Sequence, residues 1–115
     1  LMKARIDDLL TLLREFRDAR DWGKFHDTKN LALSISIEAA ELLEIFQWSK
    51  DNVDIDGDMK DKIADEAADV FLYTLMLFDS LGLDPAAEAY KKIKINEDRF
   101  PIPLSYGKPK PDKEL

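Results

Sequence analysis

Two pairs of carboxylates stand where chemistry could be done. Glu38 and Glu41 lie three residues apart in Ile37-Glu38-Ala39-Ala40-Glu41-Leu42-Leu43-Glu44, and Glu66 and Asp69 repeat the spacing in Asp65-Glu66-Ala67-Ala68-Asp69-Val70-Phe71. On an α-helix such residues share a face, with Cβ atoms about 5–6 Å apart. Like charges at this spacing disfavour a helix by roughly 0.2–0.5 kcal/mol per pair. Desolvating each ion costs several kcal/mol more, of the order found in real proteins. Alanine and large apolar side chains surround all four acids, so the charge needs an answer. A hard divalent cation such as Mg²⁺, which binds carboxylate oxygens and keeps some of its waters, is the economical one. Two solvated acidic stripes are the plainer alternative.

Other residue types narrow the chemistry by what they leave out. His26 is the only histidine, and neither acidic motif has a histidine three residues on. A di-iron carboxylate bundle needs Glu-x-x-His on two helices, so a metal-storage or redox bundle is disfavoured. There is no P-loop or Gly-rich cradle for phosphates, and no Cys, Ser-His or aspartyl-phosphate arrangement to build a covalent intermediate. Trp22 and Trp48 read by default as core or interface aromatics. Tyr73 follows Asp69 by four residues and shares its face. Lys92 and Asn96 are also four apart; Lys91 and Lys94 beside them simply complement a helix C-terminus.

Helices must position these groups. Ile6, Leu9, Leu10, Leu13 and Phe16 follow a 3–4 spacing that predicts a first helix over 3–20, acidic at its start and basic at its end. A short loop through Trp22, Gly23 and His26 follows. Asp27 or Thr28 caps a second helix over 28–49, whose apolar residues occupy more than one face. A small domain cannot bury such a helix alone, so a homo-oligomer through helices 2 and 3 is expected, dimer or tetramer. A polar linker over 50–58 ends at Asp58, expected to cap a third helix over 59–81. Gly82 suits the left-handed residue after it. Asp84-Pro85 restarts the chain as cap and first helical position of a fourth helix reaching about Phe100. Prolines 101, 103, 109 and 111 argue for an extended or disordered tail over 101–115. The expected organisation is thus one all-α domain, a four-helix bundle over 1–100, followed by that tail.

Composition excludes several classes. With 24 acids against 17 bases the formal charge is −7, which argues against binding a nucleic-acid polymer but permits one nucleotide bridged by metal. No apolar run is long enough to span a bilayer, so no membrane partner is expected. A soluble, cytoplasmic protein is the expectation, with Met2 read as the native start and Leu1 as an appended residue.

The acidic pairs, taken with Arg20-Asp21-Trp22-Gly23-Lys24-Phe25-His26, Asn30-Leu31, Glu44-Ile45-Phe46-Gln47-Trp48 and Lys92-x-x-Ile95-Asn96-x-x-Arg99-Phe100-Pro101, carry a resemblance. From the first helix to about Pro101 the chain resembles the MazG-type all-α nucleoside triphosphate pyrophosphohydrolases, in their dCTP pyrophosphatase-like branch. That resemblance implies a Mg²⁺-dependent hydrolase, with Mn²⁺ as a substitute, splitting a (deoxy)nucleoside triphosphate into monophosphate and pyrophosphate in nucleotide-pool house-cleaning. It implies metal ligation by Glu38, Glu41, Glu66 and Asp69, with Glu41 or Glu38 also catalytic; Glu44, beside the first motif, reads as an outer or water-orienting acid. Trp22, His26, Trp48 and Tyr73 would meet the nucleotide, and Lys92 and Asn96, assisted by Arg99, its phosphates or sugar. The chain departs from dCTP-specific members in carrying Leu13 where they have a base-pocket histidine, which implies a wider range that includes dCTP or dATP. A non-catalytic helical interaction module, antitoxin-like, is the rival from another class; it would show no saturable Mg²⁺ binding.

Overall fold

The computed structural model describes residues 5–49 and 54–109. The expected start at Met2, the first part of the linker and the last residues of the tail lie outside the described residues. Among the described residues five helices follow in order: α1 (Ile6–Ala19), α2 (Thr28–Glu44), α3 (Gly57–Ser80), α4 (Pro85–Arg99) and the single turn α5 (Ile102–Ser105). A 3₁₀ turn, Gly23–Phe25, lies between α1 and α2. The fold is all-α. No single helix among the described residues is long and apolar enough to cross a membrane.

Aspartates open three of these helices. Asp27 accepts from the Asn30 N–H at 2.8 Å, Asp56 from Met59 at 2.8 Å and Asp84 from Ala87 at 3.1 Å. Each satisfies a backbone donor that has no partner within its own helix. The cap of α3 is therefore Asp56 and not the expected Asp58, because Asp56 is the residue whose carboxylate reaches the third helical N–H. Asp58 falls in the first turn, where its charge suits the dipole. Pro85 occupies the start of α4, where its missing N–H costs nothing.

The helix ends are equally legible. After α3, Gly82 sits at φ 68°, and the Leu83 N–H reaches back to the Phe78 carbonyl at 2.9 Å. After α1 the same wrap is built on Asp21, at φ 54°, with the Trp22 N–H on the Arg17 carbonyl at 3.0 Å. Aspartate is among the few side chains that enter this left-handed region as a single residue. Helix α2 stops at Glu44 and not at residue 49. Beyond it the bonds shorten to three-residue turns, Phe46 N–H to Leu43, Gln47 to Glu44 and Ser49 to Phe46. Past Pro101 the chain is not wholly extended. Pro101 and Pro103 fall at the cap and first turn of α5, where a helix needs no proline N–H.

Two compact units result, residues 1–83 with α1 to α3 and residues 84–115 with α4 and α5. In the first, α2 packs along α3, and α1 also packs on α3. Leu10 of α1, Leu31 of α2, and Leu75 and Met76 of α3 are its buried apolar side chains among the described residues. That core is thin. Leu33, Ile37 and Leu43 of α2 are each more than half exposed, and Phe71 of α3 nearly so.

Candidate metal centre and adjoining pocket

The packing of α2 on α3 converts two separate acidic pairs into one cluster. One carboxylate oxygen from each of Glu38, Glu66 and Asp69 lies within 4.8 Å of the others. Glu38 Oε2 and Glu66 Oε2 are buried without a hydrogen-bond partner. Buried polar atoms are normally satisfied, so these two oxygens need a donor or a cation. Three hard oxygen donors with unused lone pairs fit a Mg²⁺-like ion, and no histidine or sulfur stands among them to favour a softer metal.

The fourth acid, Glu41, stands beside this trio and not within it. Its carboxyl shares a hydrogen bond with Glu38; with burial and the charges of Glu41, Asp69 and Glu66, this pushes Glu38 up from 4.5 to about 7. Glu66 is also raised, chiefly by burial, then by the charge of Glu41. Negative charge is thus concentrated beyond what the metal-free site readily holds.

Two hollows border the cluster, each sharing one of its residues. On one side lies an open groove of about 810 Å³, lined by Glu41, Glu44, Asp56, Asp58, Lys62 and Glu66 among others. Half of its lining residues are acidic. On the other side a smaller pocket of about 210 Å³ lies between α1, the 3₁₀ turn and α3. Leu13, Phe16, Trp22, Leu72 and Met76 make it apolar, while Arg17, His26, Asp69 and Tyr73 add polar atoms. Trp22 meets Phe16 edge to face, with ring centroids 5.7 Å apart. His26 Nδ1 is buried and without a hydrogen-bond partner. Asp69 belongs to both the cluster and this pocket, and Glu66 to both the cluster and the groove.

Trp22, His26 and Tyr73 therefore line one pocket with Asp69. Trp48 does not join them. It lies in the turns after α2, 90% exposed, and lines neither hollow. Lys92 and Asn96 share a face of α4 in the second unit. Sequence reasoning did not single out Phe16, Arg17, Leu72, Met76 or Lys62 as site residues. A helical signal existed for three of them. Leu72, Tyr73 and Met76 continue the face of Asp69 at three, four and seven residues, and Lys62 precedes Glu66 by four.

An all-α fold with paired acids on two packed helices defines a recognisable class. Residues 33–115 match the MazG-like family, and the chain belongs to it. It is related to dCTP pyrophosphatase 1 of Rattus norvegicus, 32% identical over 106 residues, covering 89% of this chain. The Homo sapiens protein of that name is 30% identical over 114 residues, covering 96% of this chain and 67% of its own length. The chain spans 62% of the length of the rat relative. Among solved structures, a pyrophosphatase from Archaeoglobus fulgidus superposes with a TM-score of 0.76 at 43% identity, over 88% of this chain and 96% of that one.

Proposed function

We propose that this protein hydrolyses (deoxy)nucleoside triphosphates, dCTP or dATP among them, to the nucleoside monophosphate and pyrophosphate, serving nucleotide-pool house-cleaning. The observation that carries the reading is the acid cluster set between an apolar pocket and a polar groove. A nucleotide has the matching division, an apolar ring at one end and oxygen-rich phosphates at the other. Similarity to proteins named as dCTP pyrophosphatases and as a pyrophosphatase supports the same assignment.

In this reading Glu38, Glu41, Glu66 and Asp69 hold Mg²⁺, or Mn²⁺ in its place. The ion, when bound, offsets phosphate charge and helps to place water. The chain's own groups do the rest. Trp22, His26 and Tyr73 wall the base, and Leu13 presents a methyl surface that gives cytosine no special partner, which fits a wider base range. Water attacks the α-phosphorus, the bond to the β-phosphate's bridging oxygen breaks, and Glu41 takes the water's proton, with Glu38 beside it. Lys92 and Asn96 contact phosphate or sugar. Trp48, so exposed on its own chain, enters the site from a second copy in a homo-oligomer joined through α2 and α3.

Hydrolysis in ¹⁸O-labelled water tests the reading. The label should appear in the nucleoside monophosphate and not in pyrophosphate. Inorganic phosphate with nucleoside diphosphate as products would overturn it, and label confined to pyrophosphate would move the attack to the β-phosphorus.

A further inference from the structure

The ends of α1 and α3 meet at a carboxylate outside both hollows. Asp79 Oδ1 accepts from Arg14 Nε at 2.9 Å and Nη2 at 2.6 Å, and Oδ2 accepts from Arg17 Nη1 at 3.3 Å. Asp79 lies in the last turn of α3, where a negative side chain opposes the helix dipole. Its position is tolerable because two guanidinium groups grip both oxygens. Arg14 is nearly half exposed and its pair contributes little to stability, whereas Arg17 and Asp79 are both largely buried, at 22% and 16% side-chain exposure, so their bond is held in place by its surroundings.

Arg17 connects that grip to the pocket. Its side chain lines the pocket beside Trp22 and His26. Its carbonyl accepts the Trp22 N–H at 3.0 Å, and its Nε donates to Asp18 at 2.8 Å. Its stem runs under Gly23, close enough that a Cβ there would lie 3.6 Å from Arg17 Cδ. From Trp22 the turn closes by Phe25 N–H to the Trp22 carbonyl and His26 N–H to the Gly23 carbonyl, at 2.9 and 3.1 Å. A continuous set of contacts therefore runs from Asp79 through Arg17 to the turn that bears both Trp22 and His26.

We infer that Asp79 is a positioning residue: by holding Arg17 it fixes the Trp22–His26 turn against α3 and sets the width of the apolar pocket. The inference rests on the reading that this pocket receives the nucleobase. Asp79 touches no substrate. It acts on how firmly substrate is held and not on the acid cluster.

Two measurements test it on the full chain. In a Trp48→Phe background Trp22 is the sole tryptophan, and Asp79→Asn or Arg17→Lys should shift its emission to the red and increase its quenching by acrylamide. Arg14→Gln, which leaves the Asp79–Arg17 bond in place, should not. With Trp48 present, Asp79→Asn should raise KM for the triphosphate about tenfold with kcat within about twofold, the signature of slightly misplaced binding groups. Asp79→Glu should recover part of the loss. Parental emission and quenching in either folded variant would overturn the inference, as would a fall in kcat at unchanged KM. If Asp79→Asn does not fold, Arg17→Lys decides by the same optical readout. A parent without triphosphate hydrolysis would sink the base-pocket reading, while the Trp22 signal would still decide whether Asp79 sets the turn.

Discussion

At the scale of single residues, the acid cluster costs stability by gathering carboxylates that could hold a cation. Glu38 holds its proton up to about pH 7 in the native state but releases it near 4.5 when unfolded. Between those values the native state binds more protons, so this group's contribution, fully present below 4.5, is lost as pH rises toward 7. Asp79 works in the opposite direction. The Arg14 hydrogen bond, then its charge and Arg17, hold Asp79 below the ordinary 3.8, and its contribution is lost as pH falls through that lowered value. Metal-free protein should therefore lose stability from pH 4.5 to 7, and Mg²⁺ should raise the thermal midpoint more at pH 8 than at pH 5. Equal Mg²⁺ shifts at both pH values would separate the cluster from metal binding. Changing Glu38, Glu41 or Glu66 to Gln, or Asp69 to Asn, should abolish Mg²⁺-dependent turnover and preserve the helical circular dichroism. Near-parental activity in two of these variants would move the site elsewhere.

At the scale of elements, the two left-handed residues after α1 and α3 invite opposite substitutions. Gly82 is at φ 68° with open space around its absent Cβ, so strain and not crowding is what Gly82→Ala would introduce. The expected loss is about 1 kcal/mol, the lower end of what a left-handed L-residue costs. Asp21 already bears part of that cost at φ 54°. Asp21→Gly should relieve it and gain less than about 1 kcal/mol, because glycine also widens the unfolded ensemble. Urea unfolding of both variants measures the pair, and a stabilising Gly82→Ala would contradict the assignment of these caps.

At the scale of the molecule, thin burial in the first unit leaves apolar surface on α2 and α3, the face proposed to meet another copy. Exposed patches of this kind mark interaction surfaces. Sedimentation at low micromolar concentration should show no folded monomer, and the thermal midpoint should rise with protein concentration. A folded monomer with a midpoint constant across dilution would reject the assembly. Trp48 belongs to the same argument. Trp48→Ala should raise KM by the equivalent of about 1–3 kcal/mol, the value of one base–aromatic stack, with a smaller effect on the midpoint. Equal losses of activity and folding would make Trp48 a packing residue of the assembly instead.

Local physics, written in adjacent residues, was readable from the sequence alone. Asp84-Pro85 opening α4, Gly82 closing α3, and the shared faces of Glu38 with Glu41 and Glu66 with Asp69 all follow from caps, dihedral preference and helical period. The end of α2 was less legible, because Ile45, Phe46 and Trp48 continue an apolar pattern after the backbone has turned to three-residue bonds. Asp56 displaced Asp58 as a cap because the side chain reaching the third N–H wins, and two nearby aspartates look alike in sequence. What tertiary structure alone decided is which faces meet. No spacing within one helix tells that Glu38, Glu66 and Asp69 converge within 4.8 Å, or that Asp69 also borders a pocket closed by Trp22 and His26. Nor does it pair Asp79 with Arg14 and Arg17 across more than sixty residues. Those contacts depend on how α1 and α2 lie on α3, an outcome of the whole packed core and not of any segment in it.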